Sequence, residues 1–429
     1  MGKIKQIIAY EIIDSFGWPT LAGKLTCENG VSVTTSVPSS MLINKYVAYH
    51  LRDDDKNRFF GKGVSQSVYF INNLIAPKLI NVDLSKNLAI DNWLIKADGT
   101  KNKNKLGANT TLLVSQLVAK AAAKSNQLPL YIYLNKLYTE LTKEKIKIER
   151  IPTPIFNLLS GGKHGENSLD FQEFEIIPSS RFSFSQSLQL GVEFYHTLKK
   201  IIISKGAIPS AGLEGGFAPL LSSNIDALEI LKETVRQKKL TLGFDIFFAI
   251  DLAASYFYKN DHFIIKDRTK PLKKEDFFSF LQFLIKNYPI LLLEDPGDFN
   301  DLSYWQYLSS NLPKEVYLIA DDLVSGNKDR LLMVIDKKAA SGLVIKPSEI
   351  GTIYETFLLV EIARKNHLTY IVSHCANETN DDFISDLSVA LQSEMVKFGA
   401  PARGERVAKY NRLWEIERNM NFDKCSKII

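Results

Sequence analysis

The N-terminal third of the chain shows two hydrophobic patterns in succession. The segment IKQIIAYEII alternates loosely between apolar and polar residues, and LAGKLTCENGVSVTTSVP places Asn29-Gly30 between two β-prone runs, a strong signal for a hairpin. From about Ser65 to Tyr138, apolar residues recur every three or four positions, as they do in amphipathic helices. We therefore expect an antiparallel sheet followed by helices.

From EFEIIP onward, the pattern changes to short apolar runs that alternate with helix-like segments, and each run ends in or just before a polar or charged residue. The runs are EFEIIP, IFFAIDLA, ILLLED, VYLIADD, GLVIK, YIVSH and MVKFGAP. They recur at intervals of roughly 25 residues, the length that a strand, a helix and two short loops use in a (β/α) barrel. One longer interval contains YFYKNDHFIIKD, which we interpret as an inserted hairpin. The pattern predicts an α/β barrel.

A charged stretch, LTKEKIKIERIPTP, separates the two patterns and ends in two prolines. Such a segment is typical of a linker, so it predicts a domain boundary between Thr142 and Pro154. We expect an N-terminal α+β capping domain over residues 1–141 and a (β/α)8 barrel catalytic domain over residues 142–429.

Composition narrows the class of protein. The 429 residues are 45% hydrophobic and 24% charged, with a formal net charge of +5, and no Lys/Arg cluster is interleaved with aromatics, so we expect no nucleic-acid partner. The three cysteines lie far apart without CxxC spacing, which argues against a disulfide framework or a zinc site. No leader-like apolar region or stretch of about 18 apolar residues occurs, so we expect a cytoplasmic protein that does not insert into a membrane.

Charged residues gather where the apolar runs end, namely at Asp251, Glu294, Asp321, Lys346, His374 and Lys397. In a barrel these ends meet at one face, where barrel enzymes place their chemistry. Converging carboxylates favour a hard divalent cation such as Mg²⁺. Lysines nearby can act as a general base or as counter-charges for a small anionic carboxylate substrate, because nearby positive charge can lower a lysine pKa towards working pH. A single acid at a strand end is more often a helix cap or surface ion pair, so this hypothesis depends on six residues in register.

Ten ordered blocks of the sequence carry a family resemblance: HLRDDDKNRFFGKGV, DGTKNKNKLGANTTLLVS, NLLSGGKH, FQEFEIIP, EGGFAP, LLLEDP, IADDL, VIKPSEIG, VSH with ETNDDFISDL, and KFGAPARGERVAKYNRL. Through these blocks the chain resembles the enolase (phosphopyruvate hydratase) family over almost its full length. The resemblance implies an N-terminal α+β cap on a barrel whose first strands are antiparallel, usually assembled as a dimer. It also implies a carbon–oxygen lyase that dehydrates 2-phosphoglycerate in glycolysis with Mg²⁺ and a lysine base.

The resemblance also implies roles for individual residues. It makes Asp251, Glu294 and Asp321 the ligands of Mg²⁺. It makes Lys346 the base that removes the proton, while Glu214 assists departure of the hydroxide. The residues that it places around the substrate are His164, Glu173, Ser373, His374 and Lys397, with Lys397 facing the substrate carboxylate.

Several positions depart from the family pattern. Where the family has Ser-His-Arg-Ser, this chain has Ser373-His374-Cys375-Ala376, so the arginine that binds the substrate phosphate is absent. A thiol cannot replace the bidentate, charge-assisted contact of a guanidinium. Leu42 stands where the family has a serine that ligates a second Mg²⁺, and an alkyl chain cannot coordinate a hard cation.

Two further departures affect other properties. Leu213 replaces an aspartate beside Glu214, which removes a polar neighbour from the proton-transfer path. Phe16 and Trp18 stand where the family has arginine and asparagine, and that arginine belongs to the dimer contact, so the homodimer remains an open expectation.

Three functional hypotheses follow. The first is a working but weakened Mg²⁺-dependent dehydratase for 2-phosphoglycerate. The second is a degenerate paralogue kept as a binding or moonlighting protein, for example on a cell surface. The third is a lyase or racemase for a non-phosphorylated carboxylate, suggested because the losses cluster on the phosphate side of the site.

Overall fold

The structure is a computed structural model that describes residues 2–40, 44–166 and 168–425. Leu42, the predicted replacement for a metal-binding serine, lies outside the described residues.

The described N-terminal part is a three-stranded antiparallel sheet followed by helices. The strands are β1 (Ile4–Ile13), β2 (Pro19–Cys27) and β3 (Ser32–Val37), in the order β1-β2-β3. Gly30 has φ +82° in the β2–β3 turn, a conformation that favours glycine, and this confirms the predicted hairpin. The helices are α1 (Ser65–Tyr69), α2 (Ala76–Leu79), α3 (Asn87–Asp98), α4 (Ala108–Ser125) and α5 (Leu130–Thr142), with a π-helical segment, Phe70–Ile75, between α1 and α2.

The rest of the described chain forms a closed barrel surrounded by helices. Its strands are β4 (Thr153–Ser160), β5 (Glu173–Pro178), β6 (Ile246–Asp251), β7 (Tyr258–Lys259), β8 (His262–Phe263), β9 (Ile290–Glu294), β10 (Tyr317–Ala320), β11 (Gly342–Ile345), β12 (Thr369–Ser373) and β13 (Met395–Lys397). Its helices are α6 (Phe184–Ser204), α7 (Asn224–Gln237), α8 (Lys274–Asn287), α9 (Leu302–Asn311), α10 (Lys328–Lys337), α11 (Pro347–Ile350), α12 (Ile353–Lys365), α13 (Phe383–Leu391) and α14 (Gly404–Cys425).

The barrel closes in the order β10-β11-β12-β13-β4-β5-β6-β9. Strand β5 runs antiparallel to both of its neighbours, and the other pairs in the ring are parallel. Strands β7 and β8 form the inserted hairpin. The predicted α/β barrel with antiparallel first strands is therefore confirmed.

One barrel strand was missed by the sequence pattern. Strand β4 begins at Thr153, inside the segment that we interpreted as a linker, and Pro154 is its second residue. A proline near the start of a strand is tolerated, although it reads as a strand breaker in the sequence. Helix α5 ends at Thr142, and the described residues 143–152 contain neither helix nor strand.

Buried polar contacts join the N-terminal part to the barrel. Asp381 accepts hydrogen bonds from Thr35 Oγ1 at 2.8 Å and from Lys120 Nζ at 2.6 Å. Asp91 is fully buried and accepts from Ser115 Oγ at 2.9 Å and from the backbone N–H of Tyr354 at 3.0 Å. The two parts are thus joined by charged side chains as well as by apolar packing. No helix within the described ranges is long and apolar enough to span a bilayer.

Candidate active site

A layer of apolar side chains fills the barrel below the predicted site. It comprises Ile155, Ile177, Ala249, Leu292, Ile319, Val344, Ile371 and Met395. Side chains two positions apart in a strand share a face, so the next inward residues towards the carboxyl ends follow from this layer. On the parallel strands they are Asn157, Asp251, Glu294, Asp321, Lys346, Ser373 and Lys397. The alternation along each strand thus places these residues above the apolar core.

The antiparallel β5 adds a residue to the same end of the barrel. Its first residue, Glu173, pairs in register with Asp251, which in turn pairs with Glu294. Ser373 pairs with Lys397 on the other side of the ring. The structure therefore brings together Glu173 and the residues predicted from the ends of the parallel strands.

The three predicted metal ligands end adjacent strands. Glu294 is fully buried; its Oε1 accepts a hydrogen bond from Lys397 Nζ at 2.6 Å, whereas its Oε2 has no hydrogen-bond partner among the described residues. Burial and the repulsion of Asp251 and Asp321 raise the pKa of Glu294 well above its usual value. A buried, unpartnered carboxylate oxygen among further carboxylates fits a hard divalent cation such as Mg²⁺.

A second group of side chains has possible metal-ligand atoms that lie close to one another. Of the His, Cys, Asp and Glu side chains in the described part of the chain, His164, Glu173 and Glu214 place one atom each within 4.8 Å of one another. His164 Nδ1 lies 2.7 Å from Glu173 Oε1 and 3.8 Å from Glu214 Oε1. Burial alone would lower the pKa of His164, but the two carboxylates outweigh it and raise that pKa. The raised pKa favours the protonated imidazole, which cannot bind a metal, so we interpret this group as a cluster for proton transfer.

Glu214 is the member of this cluster whose pKa is lowered. His374 Nε2 lies 2.7 Å from Glu214 Oε2, and burial lowers the pKa of His374 to about 4. Burial alone would raise the pKa of Glu214, but His374 and His164 hold it well below its usual value. Burial and Glu214 raise the pKa of Glu173. These directions favour a proton on His164 or Glu173 over a proton on Glu214.

Both lysines of the site are ion-paired. Lys346 donates to Asp321 and lies 3.4 Å from Glu349 Oε1. Burial alone would lower the pKa of Lys346, but these two carboxylates raise it well above its usual value. We had expected nearby positive charge to lower this pKa, whereas carboxylates surround the amine. Lys346 can therefore act as a base only when another group takes up the charge of Asp321.

Lys397 links the two groups of acids. Its Nζ lies 2.6 Å from Glu294 Oε1, 3.5 Å from Asp251 Oδ2 and 3.6 Å from Glu173 Oε2. Burial alone would lower the pKa of Lys397, and these carboxylates raise it well above its usual value. Lys397 is thus a fixed positive charge between the carboxylates.

A cavity of about 330 Å³ lies among these residues. Most of the predicted site residues line it, namely Glu214, Lys346, His164, Glu173, Ser373, His374, Lys397, Asp251 and Asp321. Its volume is at the small end of the range for ligand sites, about 300–1,000 Å³. The cavity therefore suits a small molecule.

Comparison with protein-family models identifies the chain. The enolase N-terminal domain matches residues 4–134, and the enolase C-terminal TIM barrel domain matches residues 148–425. The chain belongs to the enolase family. The two matches span nearly the whole chain and confirm the resemblance seen in its sequence. Membership of the enolase family indicates a lyase-type enzyme.

Cys375, which departs from the enolase pattern, is a buried and uncharged residue in the lining of the cavity. Cys375 Sγ lies 2.7 Å from Ser348 Oγ, and burial raises the pKa of the thiol. The guanidinium of the buried Arg406 donates hydrogen bonds to the backbone carbonyls of Cys375 and Ala376. Among the described residues, three lysines and no arginine line the cavity. The side chain at position 375 thus provides no charge for a substrate phosphate.

The sequence pattern did not single out three acids of the site, Asp295, Asp322 and Glu349. Asp295 accepts hydrogen bonds from the backbone N–H groups of Asp321, at 3.1 Å, and of Asp322, at 2.7 Å. Asp295 therefore orients the segment that carries Asp321. Asp322 and Glu349 line the cavity, and burial raises the pKa of each to about 7. The doubled acids of LLLEDP and IADDL gave a signal for Asp295 and Asp322. Nothing in the local pattern distinguished Glu349.

Loop residues complete the lining. Phe16, at a position that the resemblance placed near a dimer contact, lines the cavity, as does Leu213. Lys163 Nζ lies 3.8 Å from the ring centre of Tyr256, and both residues also line the cavity. These residues come from irregular segments, which carry no hydrophobic periodicity to predict them.

Proposed function

We propose that this enolase-family chain is a divalent-metal-dependent carbon–oxygen lyase acting on a small hydroxycarboxylate. The observation that carries the proposal is the placement of two kinds of proton-transfer group around one cavity. Lys346 follows β11, and the cluster of His164, Glu173 and Glu214 lies at β5, which is opposite β11 in the ring of eight strands. A substrate between them can lose a proton on one side and a hydroxide on the other.

The carboxylates of Asp251, Glu294 and Asp321 would hold the cation. Once bound there, a divalent cation would supply positive charge beside the substrate carboxylate, which makes the proton on the adjacent carbon more acidic. Lys397 adds a fixed positive charge at the same place, since its Nζ lies 2.6 Å from Glu294 Oε1. Electrostatic stabilisation of this kind is commonly the largest contribution to catalysis.

The proton balance of the reaction uses both sides of the cavity. The amine of Lys346 takes the proton from the carbon next to the carboxylate, and the bonding electrons form the carbon–carbon double bond. The bond from the next carbon to its hydroxyl breaks, and that oxygen takes a proton from His164 or Glu173 and leaves as water. Glu214 stays ionised and keeps His164 protonated, in agreement with a supporting role in hydroxide departure.

The first substrate to test is 2-phosphoglycerate, which the family resemblance suggests and which would give phosphoenolpyruvate. We expect slow turnover, because Cys375 provides no bidentate contact for the phosphate. The buried, uncharged thiol favours a second candidate, a hydroxycarboxylate or related acid without phosphate.

The test is formation of phosphoenolpyruvate from 2-phosphoglycerate by the purified chain with Mg²⁺. Lys346→Ala removes the base and should lower turnover by roughly 10²- to 10⁴-fold. Lys286→Ala, at an exposed lysine on α8, is the matched control and should leave turnover unchanged. Equal turnover in Lys346→Ala and the parent would contradict the proposed mechanism.

A further inference from the structure

The acids that line the cavity outnumber its basic residues. Among the described residues that line it, the acids are Glu173, Glu214, Asp251, Asp295, Asp321, Asp322 and Glu349, against the lysines Lys163, Lys346 and Lys397. When all of these side chains are ionised, the excess is four negative charges, and one divalent cation would offset two of them. A phosphate dianion in addition to a carboxylate would therefore need another counter-charge.

The proposed reaction gives no role to Glu349, one of the acids that line this cavity. Glu349 is only 4% exposed, and its side-chain oxygen Oε1 has no hydrogen-bond partner among the described residues. Lys346 Nζ lies 3.4 Å away and offsets part of the charge of Glu349, while its hydrogen bond goes to Asp321. A buried carboxylate oxygen without a donor is costly, and a ligand that supplies the donor removes that cost.

Glu349 and Cys375 form one wall of the cavity, here called the Glu349 wall. Ser348, next to Glu349 in sequence, lies behind it and contacts the thiol of Cys375 at 2.7 Å. The wall therefore offers a substrate a carboxylate acceptor and an uncharged thiol. Phosphate oxygens are acceptors, so against this wall they would meet a like charge, whereas hydroxyl and ammonium groups can donate to it.

We propose that the Glu349 wall binds a hydrogen-bond-donating group of the substrate, so that the substrate is a small hydroxy- or amino-carboxylate without phosphate. This inference rests on the proposed function, because it assumes that the substrate carboxylate lies near Lys397 and the three acids that would hold the cation. It assigns Glu349 as a specificity-determining residue for the group attached to the carbon that loses its proton.

Binding of three matched acids tests this inference. Glycerate, serine and 2-phosphoglycerate share a three-carbon chain, a carboxylate and a terminal hydroxyl, and they carry a hydroxyl, an ammonium or a phosphate on the middle carbon. In calorimetric titration of the Mg²⁺-loaded chain, the dissociation constant for glycerate or serine should be at least about tenfold lower than that for 2-phosphoglycerate. The tighter of the two identifies the donor as hydroxyl or ammonium.

Glu349→Gln keeps the shape of the side chain and removes its charge. It should weaken binding of the preferred acid by about tenfold and strengthen binding of 2-phosphoglycerate. Glu315→Gln, at an exposed acid outside the cavity, is the matched control and should preserve the parent order. An unchanged order in Glu349→Gln would overturn the inference, as would preference of the parent for 2-phosphoglycerate or failure to bind either unphosphorylated acid.

The proposed function is judged by a different readout from the same samples. If the expected binding order is found but the parent never exchanges the proton on the middle carbon with solvent, the inference stands and the proposed function fails. If that proton exchanges and the binding order is reversed, the proposed function stands and the inference fails.

Discussion

Replacing Cys375 by arginine places a guanidinium on the Glu349 wall. The backbone contacts at this position, from Arg406 to the carbonyl and from the amide to Glu378, do not depend on the side chain. The contact with Ser348 Oγ is lost. We therefore expect Cys375→Arg to fold and to offer a phosphate the bidentate partner that the parent lacks.

The size of the effect depends on Glu349. A charge-assisted hydrogen bond contributes about 1.5–3 kcal/mol, which corresponds to roughly a tenfold to hundredfold change in binding. In Cys375→Arg, however, the carboxylate of Glu349 lies on the same wall and competes with the phosphate for the guanidinium. We expect less than about tenfold improvement in the single variant and the full effect only when Glu349→Gln is combined with it.

The improvement should appear mainly in KM for 2-phosphoglycerate. A phosphate contact is present in both the ground state and the transition state, so it strengthens binding without accelerating the chemical step. Steady-state kinetics on the parent, Cys375→Arg, Glu349→Gln and the double variant form a double-mutant cycle that measures the coupling between the two positions.

Two outcomes would refute this reasoning. If Cys375→Arg alone gives the full reduction in KM, Glu349 does not compete for the guanidinium. If no variant raises kcat/KM above that of the parent, phosphate recognition does not limit the chain, and a non-phosphorylated substrate becomes the better candidate for its reaction.

Three further predictions concern the metal and the fold. Glu294→Gln should weaken Mg²⁺ binding by tenfold or more in calorimetric titration, because it removes a carboxylate ligand, and unchanged affinity would exclude this ligand set. Burial raises the pKa of Asp91 from 3.8 to about 7, so the folded state binds its proton more tightly and stability falls as pH rises between about 4 and 7. Urea unfolding at pH 5 and pH 8 spans about two pKa units of this fall, so Asp91→Asn should remove up to about 3 kcal/mol of it, and equal pH dependence in parent and variant would contradict the assignment. Asp381→Ala leaves the partly buried Lys120 without its partner and should lower the free energy of unfolding by about 1–3 kcal/mol, whereas a loss below about 0.5 kcal/mol would show that the pair does not join the two parts.

The barrel could be predicted because each strand carries the same local signal. An apolar run ends in a charged residue, and the alternation of faces then fixes which side chain lies above the core, as at Leu292 and Glu294. The exception was β4, whose start is hidden by Pro154 and a charged segment. Local pattern thus sufficed for the strands and for the side chains at their ends.

The pairing of charges could not be predicted from the same signal. Lys346 contacts Asp321 and Lys397 contacts Glu294 only because the ring closes in one order, which no single run of sequence contains. The raised pKa of Lys346 follows from these contacts, so the expected lowering of that pKa did not agree with the structure. Glu349 was missed for a similar reason, since its role depends on neighbours that are distant in sequence.

Exchange of the substrate proton with deuterated solvent tests the central claim most directly, because it reports proton removal even when dehydration is slow. We predict that the Mg²⁺-loaded chain exchanges the proton next to the carboxylate of 2-phosphoglycerate, glycerate or serine in NMR spectra, and that Lys346→Ala and removal of Mg²⁺ by a chelator each abolish the exchange while Lys286→Ala does not. Absence of exchange in the parent with all three acids, or equal exchange in Lys346→Ala, would contradict the claim that this cavity removes a proton next to a carboxylate.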